Sequence, residues 1–200
     1  MKVISPKLFM PPVGLLAGTR LIAVAIGAEA TFIARTVDTD PKHMVETFKA
    51  AHAHKGVSFI EILQNCVIYN KDVWESIYGR ESRAEQILYL QEGQPLVFGK
   101  EKDKGIRLNG LNPEVVSINE GGVSIDELLC HDIGQDNPLY TTLLSQLVSP
   151  GFPTPVGVFR SLERPVYEQA LQGQIDAARE AKGEGDLQIA LAAGGCWVVE

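Results

Sequence analysis

One cysteine follows directly on a segment with the composition of a buried strand. Residues 57–63 are β-branched, aromatic or apolar except for one Ser and one Glu, and the polar pair Gln64 and Asn65 precedes Cys66. A thiolate at such a turn, beside Asn65 and backbone N–H groups, can act as a metal ligand that accepts hydrogen bonds at its sulfur. On spacing alone, the commoner role of a lone cysteine after a strand is that of a small core residue. Both roles stay open for Cys66 at this point.

The other thiols and the histidines give weaker signals. Cys130 and Cys196 lie far from Cys66 and from each other, a spacing typical of neither a disulfide framework nor a zinc site, and we interpret both as structural. His52 and His54 are two residues apart on a predicted helix, which directs them to different sides and predicts solvated helix-end residues. The other two histidines, His43 and His131, are either surface residues or partners of nearby backbone.

The elements around Cys66 predict an α/β fold. Residues 14–30 favour a helix, residues 31–37 a buried strand, and residues 41–54 a second helix that Asp40 and Pro41 can begin. With the strand at residues 57–63, the order is strand, helix, strand, which predicts a parallel pair joined by a right-handed crossover. Functional groups in such sheets gather beyond the carboxyl ends of the strands, which is where Cys66 lies.

The chain divides near residue 150. Three prolines at residues 150, 153 and 155 exclude a helix or a central strand there and predict an extended connector. A long helix over residues 167–182 and a short one near the end follow the connector. We therefore predict an α/β domain over residues 1–150 and a tail over residues 151–200 that contacts another subunit.

Composition limits the classes of partner. The 200 residues are 45% hydrophobic and carry a formal net charge of −7, which argues against binding to nucleic acid. Pro6, Pro11 and Pro12 interrupt any signal-peptide core, and Arg20 and Glu29 interrupt the most apolar stretch, so neither secretion nor a membrane span is predicted. The spaced cysteines favour a reducing cytoplasm.

Three stretches of the chain resemble the beta subunits of 2-oxoacid:ferredoxin oxidoreductases. They are residues 28–38, residues 50–70 and residues 152–160. The second is the most specific, because its order of small residues, Lys55 and Gly56, a strand, Cys66 and a later Asn is similar to the family's signature around one cluster-binding cysteine. The stretch at residues 154–160, with Glu163 to Pro165, resembles the 2-oxoglutarate branch.

The resemblance implies a fold, a reaction and partners. The fold would be part of a thiamine-diphosphate-binding-type parallel-sheet domain, with a carboxy-terminal arm that contacts the alpha subunit. Cys66 would be the fourth ligand of a 4Fe-4S cluster, while thiamine diphosphate and Mg²⁺ would support oxidative decarboxylation of 2-oxoglutarate or a related 2-oxoacid. Coenzyme A would take the acyl group, and ferredoxin would take the electrons.

The sequence departs from the family at the cofactor sites. The family's Gly-Asp-Gly motif and its downstream Asn do not occur ahead of residue 28, and no cysteine precedes Cys66. Residues 183–186, Gly-Glu-Gly-Asp, resemble that motif only superficially, and we interpret them as a plain turn. We therefore expect no thiamine-binding residue in this chain, leave its catalytic residues unassigned, and expect the isolated chain to be inactive. The alternative is a non-catalytic assembly or interaction module derived from that subunit; a hydrolase or transferase is disfavoured because no nucleophile elbow is present.

Overall fold

The computed structural model describes residues 20–68, 71–72, 74–118, 123–195 and 197. The chain separates into two compact units, Met1–Glu163 and Arg164–Glu200. The predicted tail began at residue 151, whereas the second unit begins at Arg164, because the strand over residues 154–161 pairs within the first unit.

The first unit is built on a four-stranded sheet. Its strands are β1 (Phe32–Val37), β2 (Ser58–Leu63), β3 (Ile87–Tyr89) and β7 (Thr154–Ser161), in the order β2-β1-β7-β3. All six residues of β1 are buried, as expected for a strand with neighbours on both sides and cover on both faces. The predicted α/β class is confirmed, and so is the parallel pairing of β1 with β2.

The sheet is mixed rather than wholly parallel. Strand β7 enters between β1 and β3, antiparallel to β1 and parallel to β3. The prediction that the proline-rich stretch cannot enter a central strand is therefore wrong at Pro155, which pairs with Leu88. Pro155 is tolerated because the paired register of β7 with β1 reaches only Gly157, so no N–H is needed at Pro155 on that side.

The described residues before β3 include four helical segments. Helix α1 (Leu21–Gly27) ends before residue 30, the predicted end, and residues 14–19 of the predicted helix lie outside the described part of the chain. Helix α2 (Pro41–Ala53) begins as predicted, with the Asp40 carboxylate accepting a 3.1 Å hydrogen bond from the His43 N–H. Two single turns follow, α3 (Glu75–Tyr78) and α4 (Arg83–Gln86).

Two apolar clusters hold the sheet and helices together. The larger contains Ile22 of α1, Ile33 of β1 and Phe159 of β7, together with Leu144 of α5 (Pro138–Gln146). The smaller contains residues from the strand ends and from α3: Val37, Leu63, Ile77, Tyr78, Ile87 and Val156. Burying one large apolar side chain stabilises a fold by about 1.5–3 kcal/mol, so these two clusters contribute substantially to the stability of the first unit.

A second sheet lies between β3 and α5 in the sequence. Strands β4 (Val97–Phe98), β5 (Lys104–Asn109) and β6 (Asn112–Ser117) are antiparallel, and Gly110 turns the chain with φ of 62°. A 3-10 turn at Ile125–Glu127 begins with a capping box, in which Ser124 and Glu127 exchange hydrogen bonds.

The second unit is helical. Helix α6 (Tyr167–Lys182) and helix α7 (Leu187–Ala192) lie where the sequence predicts helices, and Asp186 caps α7. The predicted turn at residues 183–186 is confirmed by Gly183, whose φ is 80°. The apolar side chains of both helices are exposed, which leaves these helices without an apolar core within the described residues.

Candidate functional site

Cys66 lies where the sequence places it, just beyond the carboxyl end of β2. Its side chain is exposed, so the alternative of a small core residue is excluded by the structure. The neighbouring strand β1 ends at the same edge of the sheet, because β1 and β2 are parallel and in register from Phe32 to Val37. The loop that carries Cys66 is therefore adjacent to the residues that follow β1.

Asp38 ties this loop to the end of β1. Its backbone N–H donates to the Leu63 carbonyl at 3.1 Å, which extends the ladder between the strands by one bond. Its carboxylate Oδ2 accepts from the Asn65 N–H at 3.0 Å. Asp38 thus holds Leu63 through its backbone N–H and Asn65 through its carboxylate, which restricts where the thiol can lie.

A second set of contacts holds the loop from the other side. The Trp74 indole N–H donates to the Gln64 carbonyl at 2.9 Å, and the Asp72 N–H donates to the Asn65 side-chain oxygen at 2.8 Å. The Trp74 ring stacks on Tyr78, with ring centroids 6.4 Å apart. The thiol therefore belongs to a loop with defined hydrogen bonds rather than to an unsupported turn.

Tyr78 places a neutral phenol beside Asp38. Neither the buried Oδ1 of Asp38 nor the Tyr78 hydroxyl has a hydrogen bond of ordinary geometry within the described residues. Burial, and then the nearby Asp38 carboxylate, raise the pKa of Tyr78 far above its ordinary value. The phenol therefore stays protonated at physiological pH.

The described residues do not form a metal site by themselves. They contain no group of three or more Cys, His, Asp or Glu side chains placed to hold a metal ion. Cys130 is also exposed, at an isolated bridge to Pro95, which places it outside the protein core. The predicted structural role of Cys196 falls outside the described part of the chain. The described residues thus give Cys66 no set of fellow metal ligands, and its role as a ligand stays a prediction.

A second polar cluster surrounds the start of α2. The His43 Nδ1 hydrogen-bonds the Thr36 hydroxyl at 2.8 Å, and the Tyr89 hydroxyl donates to Asp40 Oδ2 at 3.0 Å. Burial would raise the pKa of Asp40, but the hydrogen bonds from His43 and Tyr89 hold it below its ordinary value. Burial lowers the pKa of His43, against the opposing charges of Asp40 and Glu46. The cluster positions α2 against β1 and β3.

His131 has a structural role. It is 1% exposed, and its Nε2 hydrogen-bonds the Val158 carbonyl at 2.8 Å, so Nε2 carries the proton. Its Nδ1 then accepts from the Tyr140 hydroxyl at 2.9 Å. Of the two roles that the sequence left open for His131, a partner of nearby backbone is confirmed.

The remaining histidines differ from the prediction in one case. His52 is exposed, as predicted for a solvated helix-end residue. His54 is only half-exposed, and its Nε2 lies 2.8 Å from the Thr31 hydroxyl, which in turn hydrogen-bonds Val57. His54 therefore links the end of α2 to the starts of β1 and β2, because the turn between α2 and β2 brings it back over the sheet.

Sequence reasoning missed a buried ion pair in the sheet. Arg35 and Glu61 are paired in register across β1 and β2, with Nε 2.6 Å from the Glu61 carboxylate. The Arg35 guanidinium also donates to the Pro155 carbonyl at 3.3 Å and lies 5.3 Å from the centre of the Phe159 ring. Charges of opposite sign at corresponding positions of two predicted strands were the available signal.

Comparison with known proteins gives the relationship of the chain. No family model matches it. It is 35% identical over 182 residues to the 2-oxoglutarate oxidoreductase subunit KorB of Mycobacterium tuberculosis, which is 90% of this chain and 48% of the relative. It is 39% identical over 71 residues to a 2-oxoacid:ferredoxin oxidoreductase subunit beta of Saccharolobus solfataricus, which is 36% of this chain and 22% of that one.

The chain is related to the beta subunits of 2-oxoacid:ferredoxin oxidoreductases. It spans about half the length of the Mycobacterium tuberculosis relative. Among solved structures, a 2-oxoglutarate:ferredoxin oxidoreductase from Magnetococcus marinus matches 87% of this chain and 44% of that chain, with 17% identity and a TM-score of 0.49. Within the described residues, no helix has the length and apolar character needed to cross a bilayer.

Proposed function

We propose that the chain forms part of the beta subunit of a 2-oxoacid:ferredoxin oxidoreductase, and that Cys66 is one ligand of its 4Fe-4S cluster. The observation that carries the proposal is the exposed thiol on a hydrogen-bonded loop at the carboxyl edge of a sheet, in a chain related to these subunits. When bound, such a cluster supplies one-electron transfer.

The residues around Cys66 have a positioning role in this proposal. Asp38 fixes the N–H of Asn65, and Trp74 fixes the carbonyl of Gln64. Because the backbone before Cys66 is held at the Asn65 N–H and at the Gln64 carbonyl, the loop sets the direction of the thiolate. Neutral Tyr78 adds no charge beside the site, since its pKa is raised by burial and by Asp38.

The proposed reaction is oxidative decarboxylation of a 2-oxoacid to an acyl-coenzyme A, with electrons passing to ferredoxin. No cysteine precedes Cys66 in this sequence, and we assign no thiamine-binding residue to the chain. The residues that hold thiamine diphosphate and Mg²⁺, and the other cluster ligands, would therefore lie in the part of the subunit that corresponds to the unmatched length of the relatives. 2-Oxoglutarate is the favoured substrate, since the name of the Mycobacterium tuberculosis relative specifies it.

The second unit provides a surface for the alpha subunit. Tyr167, Leu171 and Ile175 recur every four residues along α6 and are 75%, 40% and 38% exposed. Such spacing places them on one face of the helix. We assign this face to the alpha subunit, and we place the complex in the cytoplasm because iron-sulfur chemistry and exposed thiols are compatible with a reducing compartment.

The test is anaerobic co-expression of the chain with its neighbouring genes, followed by iron and thiamine analysis of the purified complex. Cys66→Ser is compared with the wild type and with Cys130→Ser, which removes another exposed thiol. Iron present in the wild type and in Cys130→Ser, but lost or labile in Cys66→Ser, supports the proposal. No iron and no thiamine in any of the three proteins would contradict it and favour a non-catalytic assembly module.

A further inference from the structure

A cavity lies beside helix α2, between this helix, the end of β3 and strand β7. Its volume is about 220 Å³. Ala50 of α2 lines it, together with Leu90 after β3 and with Gly157 and Val158 of β7, and these four residues form the apolar part of the wall. Ala50 is exposed and Val158 is half-buried, so the cavity opens to solvent and a small molecule can enter it.

Polar side chains line the same cavity. His43 and Glu46 lie one turn apart on α2, while Tyr89 ends β3 and Gln91 follows it. These residues come from two elements that are distant in the sequence, and the fold brings them to one concavity. A partly apolar concave surface with a few polar groups is typical of a small-molecule site.

The charge of this cavity is negative. Of the described residues that line it, Glu46 alone has a charged side chain at neutral pH, and it forms no salt bridge with another described residue. His43 is uncharged there, because burial holds its pKa below the ordinary value. The Asp40 carboxylate is nearby, since the Tyr89 hydroxyl donates to it. Arg83 offsets part of the Asp40 charge but does not line the cavity, so a cation is favoured over an anion.

The walls favour a ligand with a short apolar body and one charged end. The volume is below the roughly 300–1,000 Å³ typical of sites for drug-sized molecules. Leu90 and Val158 offer aliphatic contacts, and Tyr89 adds an aromatic ring, which attracts cations. An ammonium group can donate to the Glu46 carboxylate in a charge-assisted hydrogen bond.

We propose that this cavity binds a small primary alkylammonium compound, with its ammonium group on the Glu46 carboxylate and its alkyl chain against Leu90 and Val158. The described residues that line the cavity belong to α2, to β3 with the two residues after it, and to β7, and none belongs to the loop of Cys66. The inference is therefore independent of the proposed function, and either can fail without the other.

The test is titration of the full chain of 200 residues with n-butylammonium chloride, followed by nuclear magnetic resonance of the backbone amides. We expect saturable shifts at the amides of Leu90, Gly157 and Val158, and no shift at Asn109 in the hairpin. n-Butanol has the same alkyl chain without a charge, and butyrate has a negative charge. Each should bind about tenfold more weakly than n-butylammonium, or not at all.

Variants separate charge from volume. Glu46→Gln is expected to weaken n-butylammonium binding about tenfold, whereas Glu168→Gln, which removes an exposed charge from α6, should leave it unchanged. Ala50→Leu fills the cavity and should abolish binding, whereas Ala53→Leu, at an exposed position of α2 outside the cavity, should not. Glu46 and Ala50 are exposed, so both variants should keep the fold, which circular dichroism checks.

Each outcome bears on the proposal. Saturable binding that depends on Glu46 and on the space beside Ala50 supports it. Equal affinity for n-butylammonium and n-butanol, no saturable shift at all, or unchanged affinity in Glu46→Gln would overturn it. Loss of n-butylammonium binding in the complex purified after co-expression would also overturn it, because another polypeptide would then fill the cavity. None of these results depends on whether Cys66 binds iron.

Discussion

Arg35 is a buried charge at the pairing of β1 with β2, and it bears on the register of these two strands. Its side chain lies in β1 among buried neighbours and is 10% exposed, while that of Glu61 is 16% exposed. Removing two charges from water is costly, and the ion pair, the Pro155 carbonyl and the Phe159 ring together offset that cost. A pair of this kind contributes more to the correct register of β1 with β2 than to net stability.

Replacing Glu61 by Gln should therefore destabilise the first unit strongly. The substitution leaves the Arg35 guanidinium buried without its counter-charge, and we expect a loss of about 3 kcal/mol in the free energy of unfolding. Urea unfolding followed by circular dichroism measures the loss. Glu127→Gln is the matched control: Glu127 pairs with Arg107 on the exposed hairpin sheet, and its loss should change stability little. Equal effects of the two substitutions would contradict the role given to burial.

Two histidines predict how stability depends on pH. Burial lowers the pKa of His131 and of His43 below 6.5, the ordinary value that both have in the unfolded chain. As pH falls below about 6.5, the unfolded chain takes up protons before the folded chain does, so stability is full above that pH and decreases below it. Equilibrium unfolding between pH 8 and pH 5 tests this. In His131→Asn the decrease should become smaller, whereas replacing exposed His52 by Asn should not alter it.

At the scale of elements, strand β7 depends on one glycine to fit between its neighbouring strands. Gly157 has φ of 125°, and a Cβ at this position would lie 2.9 Å from the Cβ and the carbonyl oxygen of Leu90. The close approach occurs beside the irregularity in pairing that shifts the register between Ile33 and Ala34. β7 can thus lie between β1 and β3 only with a residue that lacks a side chain at this point.

Gly157→Ala should accordingly destabilise the first unit by about 2 kcal/mol or more, through backbone strain and the clash with Leu90. Gly173→Ala is the control, because nothing lies within 4 Å of a Cβ there and the residue is inside helix α6. That substitution should favour the helix by up to about 1 kcal/mol. Thermal unfolding of both variants gives the comparison, and a neutral Gly157→Ala would contradict the packing described here.

At the scale of the whole molecule, substitutions on the apolar face of α6 test the proposed contact with an alpha subunit. The double substitution Leu171→Glu with Ile175→Glu places two negative charges on that face, and we expect at least tenfold weaker binding to the alpha subunit, measured with purified proteins by calorimetry. Gln169→Glu with Gln174→Glu adds the same charge at polar exposed positions and serves as the control. Unfolding of the first unit should be unchanged in both. Full binding by the Leu171 and Ile175 variant would exclude α6 as the contact.

Local chemistry was sufficient to predict much of the first unit. Asp40 and Pro41 start α2 as expected, residues 57–63 give β2, and Cys66 follows at the end of that strand. These features depend on capping, on φ preferences and on apolar runs, all of which act over a few neighbouring residues. The resemblance that identified the family also lies in these contiguous stretches, and the relatives bear it out.

Local sequence preferences predict the strand, helix, strand unit and the place of Cys66 after it. The packed fold adds that β7 separates β1 from β3, that Pro155 lies within a strand, and that Asp38 holds the loop of Cys66. Strand order joins residues more than a hundred positions apart, and no local preference encodes which strands become neighbours. Side-chain partners such as Asp38 and Asn65 meet only after that order brings two strand ends to the same edge of the sheet.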